Sequence, residues 1–201
     1  MPNLLSVSEI QQQMRVHWAD ALTKFPEFEV YIPSAPRQEA AIRLLDSIES
    51  EFESRLPLSF REAAAQWDLS RLELGCFGFA TDGDYLARLL QLNAAVPGLE
   101  WWGDRDEPAR PADLLAIAHG DPFMVLLDMK SGAIYAHAVD EGSANTQCVA
   151  PSLDTFLRAA GTCYLQAEAA GDHDGFADSL VTEMASPPAR PFWRELVAMW
   201  G

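Results

Sequence analysis

A few groupings in the chain carry side chains whose type and spacing could do chemistry. His119 with Asp121, and the run Asp172-His173-Asp174, each set an imidazole beside carboxylates that could share a divalent ion. Neither has the ligand spacing of a specific metal site, so turn polarity is expected for the first and a solvated helix cap for the second. Cys148 and His137 could meet across adjacent strands as thiol and base, but nothing supplies a group to orient the imidazole. Ser152 lacks the Gly-x-Ser-x-Gly setting of a hydrolase nucleophile and has the simpler role of capping a helix. No Gly-x-x-x-x-Gly-Lys loop is present to cradle phosphate. The expectation is therefore a non-enzymatic protein with no catalytic residues, no metal and no cofactor. A small hydrolase with an unrecognised site is the alternative, and it would require a cleft with converging titratable groups.

Charge points to binding instead. Thirty acidic residues against 14 basic give a net charge of −16, which repels nucleic acid phosphates and anionic membranes and suits a basic protein partner. Residues 111–188 alone hold eleven Asp or Glu against Lys130 and Arg158, a net −9. A surface selected only for solubility would carry the same signature. Two places combine features of an interface. Trp101 and Trp102, followed by Asp104, Asp106 and Glu107, set aromatic area beside acidic charge in an irregular segment, unless both indoles fill the underside of a sheet. Glu49 and Glu53 mark an acidic helix surface as the second docking candidate.

The elements that must position these residues follow from periodicity. A first helix starts at Ser6 or Ser8 and carries Ile10, Met14, Trp18 and Leu22 on one stripe, ending at Phe25-Pro26. Residues 31–36 are a proline-rich connection. A second helix spans residues 37–54, with Ala41, Leu45, Ile48 and Phe52 inward, and Leu56-Pro57 breaks it. A short helix over 58–67 follows, with Ser59 near its cap. Residues 72–80 are expected as a strand with bulges at Gly75 and Gly78, Asp82-Gly83 as a turn, and residues 84–93 as a helix setting Leu86, Leu89 and Leu90 against the sheet. Pro97-Gly98 then opens the irregular stretch. Runs at 114–118, 123–129, 133–139 and 146–150, separated by turn residues, predict an antiparallel meander. A helix from Ser152 carries Leu153, Phe156, Leu157, Ala160 and Tyr164, which should cover the sheet and place Leu126 and Phe156 in one core. Two further amphipathic helices, the last with Phe192, Trp193, Leu196, Val197 and Trp200, are expected as an added tail.

The fold class expected is α+β, an antiparallel-rich central sheet flanked by helices, as a domain over 1–170 with a helical extension over 171–201 packed on it. The N-terminus shows no secretory pattern and no stretch is long enough to span a bilayer, so a cytoplasmic protein is expected. Cys76, Cys148 and Cys163 form no Cys-x-x-Cys pair and are expected as buried thiols.

Four segments in order resemble the SUKH superfamily of toxin-immunity proteins and cell-wall regulators. Leu56-Pro57 with Phe60 resembles its helix start, and residues 115–121 its first central strand and turn. Residues 123–135 resemble the following hairpin, and residues 149–157 the closing helix. One stretch departs from the family: Gln66-Trp67-Asp68-Leu69-Ser70 stands where an Asn-Gly-Gly turn is expected. The resemblance covers about residues 40–166. It implies an immunity protein that binds and neutralises a cognate bacterial toxin, commonly a basic nuclease, with a regulatory or signalling scaffold as the alternative. The oligomeric state is open.

Overall fold

Ser6 opens the first helix with a reciprocal cap. Its side chain accepts from the Glu9 amide while Glu9 accepts from the Ser6 amide, satisfying two donors that a helix start leaves unpaired. In the computed structural model, which describes residues 3–80, 83–96, 100–102 and 110–201, this helix is α1 (Val7–His17), and Ile10 and Met14 are buried on it. The predicted stripe does not continue to Leu22 as one helix. Trp18 leaves helical geometry, and a separate α2 (Ala19–Lys24) begins after it.

The other helices are α3 (Gln38–Glu51), α4 (Leu58–Ala64), α5 (Tyr85–Leu92), α6 (Leu153–Gln166), α7 (His173–Glu183) and α8 (Arg190–Trp200). Strands β1 (Glu73–Leu74), β2 (Phe77–Gly78), β3 (Leu114–Gly120), β4 (Phe123–Asp128), β5 (Ile134–Ala138) and β6 (Gln147–Ala150) form one sheet in chain order. Every neighbouring pair is antiparallel, as a meander requires. The predicted single strand over 72–80 is instead a two-residue hairpin, because the chain reverses at Gly75-Cys76. The turn expected at Asp82-Gly83 falls partly, and that at Pro97-Gly98 wholly, outside the described residues. Among the described residues no helix is long and apolar enough to cross a membrane.

Both faces of the sheet are covered, and strand alternation sorts the central side chains between them. Phe123, Val125 and Leu127 face the main core with Phe156, Phe192 and Trp193, whereas Met124 and Leu126 face a second cluster containing Ala116, Trp101 and Trp102. Leu126 and Phe156 therefore do not share a core. The run Phe123–Leu127 is apolar at every position, so its sequence carries no parity signal from which to assign faces.

The two C-terminal helices pack into the main core. Phe192 lies 4.9 Å from Phe123 between ring centroids, and the buried Trp193 donates from Nε1 to the Val149 carbonyl of edge strand β6 at 3.0 Å. An edge carbonyl open to pairing is thereby occupied. Trp67, in the stretch that departs from the family pattern, is fully buried and donates from Nε1 to Asp154 Oδ1 at 3.1 Å, joining the α4 region to α6. Chain ends are also tied in. Arg158 donates from Nε to the Leu5 carbonyl and from Nη2 to the Leu4 carbonyl, and the Leu5 amide donates to Thr162 Oγ1 at 2.9 Å. At the same contact Gly161 lets Ile10 approach, since a Cβ there would lie 2.6 Å from Ile10 Cδ1.

Some local expectations are corrected. Pro57, not Ser59, occupies the N-cap of α4, and Asp84 caps α5 by accepting from the Ala87 amide. Leu89 is buried but Leu90 is exposed, because on an eight-residue helix packed through one face it lies a hundred degrees off the inward stripe. Cys163 is a buried thiol as expected, while Cys76 and Cys148 are half-buried. Burial pushes the Cys76 thiol up to about 12 and raises Cys148, so both stay protonated near neutrality.

Candidate protein-binding surface

Ser152, Asp172 and Asp174, three of the groups that could do chemistry, have structural roles. Ser152 caps α6, accepting from the Thr155 amide at 3.2 Å. Asp172 caps α7 through the Gly175 amide, and Asp174 pairs with Arg194 at 3.3 Å, which draws the two carboxylates flanking His173 apart in function. Burial lowers the basicity of His119, with Arg88 adding to the effect and Asp121 opposing it. Cys148 stands opposite Tyr135 in the sheet, and His137 is buried with Nδ1 at 3.3 Å from Thr146 Oγ1. Among the described residues no group of three or more His, Cys, Asp or Glu is placed to hold a metal ion.

Of the residues expected at an interface, Asp104, Asp106 and Glu107 lie outside the described residues. Trp101 and Trp102 are 7% and 3% exposed and stand edge to face at 5.2 Å, covering the second face of the sheet over Ala116, Met124 and Leu126. Both indoles thus fill the underside of the sheet and offer almost no area to a partner. Hydrophobic burial won because β4 is apolar on both faces and needs a cover on each.

Glu49 is also committed internally. Its Oε1 accepts from the Leu56 amide at 3.0 Å and from Arg61 Nη1 at 2.7 Å, bridging the end of α3 to the start of α4. Burial would raise this carboxyl, but those two contacts outweigh it and hold Glu49 below the usual glutamate range. Glu53 is exposed and has φ +48, the left-handed position that follows a helix end, and the Ser54 amide closes the turn on the Glu49 carbonyl. Glu49 is therefore committed to the α3–α4 junction, and Glu53 lies exposed beyond the end of α3 instead of on a helix face with it.

The surface with interface character lies at residues 18–31, where Pro26–Tyr31 forms a 3-10 helix. With three residues per turn, side chains three apart eclipse, so aromatic residues at 25, 28 and 31 align in a row. Phe25 and Phe28 stack at 5.4 Å with their planes 28° apart, Phe28 meets Tyr31 edge-on at 5.8 Å, and Trp18 approaches Phe28 at 6.3 Å. No residue of α2 or of the 3-10 helix is buried; Phe25 is 48% exposed and Val30 45%. Asp20, Glu27 and Glu29 are exposed in the same segment together with Lys24, and Arg15 pairs with Glu29. Beside the row, Val30, Tyr31, Arg71, Leu72, Glu73 and Ala80 line an open cleft of about 330 Å³.

The expected helix end at Phe25-Pro26 and the proline-rich connection expected over 31–36 divided the row between them and left residues 27–30 without an element, which hid the surface. The available signal was Phe25, Phe28 and Tyr31 at a spacing of three, with Pro26 just inside the row and Pro33 just beyond it.

No protein-family model, curated protein or solved structure matches the chain.

Proposed function

We propose that this domain acts by binding a basic protein partner, and that it neutralises a bacterial toxin in the manner of SUKH immunity proteins. The observation that carries the reading is the aromatic row at residues 18–31, with no ring buried and Phe25 half exposed, on a chain with net charge −16. Unpaired aromatic area supplies the short-range contact that slows dissociation, while excess negative charge speeds encounter with a cationic partner. The helix start at Leu56-Pro57, the central hairpin and the closing helix α6 are the elements on which the resemblance that suggests an immunity role rests.

Co-expression with a toxin encoded beside it is the direct test. Growth should be rescued, and the purified pair should associate more slowly as salt is raised. Continued growth arrest with no isolable complex would remove the immunity reading.

A further inference from the structure

The aromatic row is half exposed at Phe25, and exposed Glu27 and Glu29 lie in the same 3-10 segment, where Glu29 pairs with a guanidinium of its own chain. Arg15, on the last turn of α1, reaches across fourteen positions to pair with Glu29, and both side chains remain about half exposed, 52% and 53%. That pair places a guanidinium beside the Phe25–Phe28–Tyr31 row without drawing either partner into the core. The cation–π contact among the described residues, Arg110 at 5.6 Å over Phe52, lies instead at the end of α3.

Three physical requirements of arginine recognition coincide here. A flat ring face open to solvent accepts a planar cation, and the half-exposed Phe25 stacked on Phe28 provides one. Carboxylates at the margin accept the guanidinium N–H groups, and Glu27 and Glu29 flank Phe28 in the chain. Long-range attraction for a cation comes from the net charge. The same net charge sets a second copy of this chain, or an anionic lipid surface, against the patch.

We infer that the row formed by Phe25, Phe28 and Tyr31 is an arginine-reading surface, on which the partner lays a guanidinium over the rings and against Glu27 or Glu29. This rests on the partner-binding reading. Arginine is selected over lysine because the planar guanidinium both stacks and pairs with two oxygens, whereas an ammonium is a compact, strongly hydrated point charge. Arg15 acts as an internal competitor that the partner's arginine displaces.

The probes are two short peptides that alternate arginine or lysine with serine, titrated into the whole chain and followed by nitrogen-edited NMR. Trp18 Nε1, which donates to Tyr164 Oη at 3.3 Å, supplies a reporter beside the row, assigned with Trp18→Phe. The arginine peptide should shift that resonance and bind more tightly than the lysine peptide. Phe25→Ala, chosen because the ring is half exposed and the fold does not depend on it, should weaken binding about two- to thirty-fold. Arg15→Gln should strengthen it by about 1.4- to 5-fold by freeing Glu29. Equal affinities for the two peptides, or binding unchanged by Phe25→Ala in a folded variant, would overturn the inference. So would binding to zwitterionic phosphatidylcholine vesicles in place of either peptide, which would make the row a membrane contact. Rescue of growth by Phe25→Ala at the wild-type level would displace the arginine site while leaving toxin neutralisation standing, whereas loss of rescue by the wild-type chain would remove that reading first.

Discussion

Gly132→Ala adds one methyl group where the β4–β5 turn touches the start of α4, joining two segments that carry the family resemblance. Gly132 has φ +79, and a side chain in the left-handed region costs about 1–2 kcal/mol, offset by about 0.4–1 kcal/mol from the lower entropy of the unfolded alanine chain. The added Cβ would also lie 2.2 Å from Ser59 Oγ and 3.1 Å from Pro57 Cβ. The Ser59 hydroxyl is buried and the proline ring cannot turn aside, so overpacking against the two adds about 1–3 kcal/mol. Together these give an expected loss of about 1–5 kcal/mol. Ser59→Ala separates the contributions. Ser59 Oγ is buried with no hydrogen-bond partner among the described residues, so removing it should be neutral or stabilising, by up to about 1–3 kcal/mol. In that background the cost of Gly132→Ala should fall by about 1–2 kcal/mol, leaving the backbone part and the proline contact. Urea unfolding of the four proteins in the cycle measures this directly. Equal costs in both backgrounds would refute the contact as the cause, and no cost in either would refute the left-handed turn itself.

Leu126→Ala should cost about 2–5 kcal/mol and couple with Trp102→Ala in a double-mutant cycle, while Leu126→Ala and Phe156→Ala should be additive, since the sheet separates them. Additivity of the first pair would contradict the two-faced core. Glu53→Gly should stabilise by about 0.5–1 kcal/mol in thermal or urea unfolding, because glycine carries no Cβ penalty at φ +48; a loss would mean that the glutamate side chain holds the turn. Glu49 has its pKa depressed on folding, so its stabilisation is present above the ordinary glutamate value of about 4.3 and is lost as pH falls through the lower folded value. Glu49→Gln should therefore lower stability at neutral pH and flatten the acid limb of a pH–stability profile; an unchanged acid limb would assign acid unfolding to other carboxylates.

The meander was legible because its turns carry their own chemistry. Gly132 and the Asp128 carboxylate, which accepts from the Lys130 and Ser131 amides, define one reversal whatever lies around them. Capping was legible at Ser6 and Ser152 for the same reason. Facing was not, because β4 is apolar throughout and only the completed sheet decides that Val125 meets α6 and Leu126 meets Trp102. At the candidate surface the difficulty was the reverse. Trp101 and Trp102 announce themselves as a pair of large rings, and size alone does not distinguish burial from contact. Phe25, Phe28 and Tyr31 lie among prolines and charges, and become a row only once the backbone takes a three-residue turn. Glu49 was chosen for its charge, yet its partners, Leu56 and Arg61, come from across a helix break that sequence spacing does not place.

The tie between Leu4, Leu5 and α6 also orders events during synthesis. Ile10 and Met14 are buried on α1, yet the surfaces that hold the start of the chain, the Arg158 guanidinium, Gly161 and Thr162, are made more than 150 positions later. At about 5–20 residues per second the first helix waits on the order of 8–30 s beside the ribosome before its packing partner exists. During that interval it is a short amphipathic segment, too brief to be a stable helix alone, and its apolar stripe is open to whatever meets it. The reciprocal Ser6–Glu9 cap and the three glutamines at 11–13 are local to that segment, so they are present for a nascent chain as well as for a finished one.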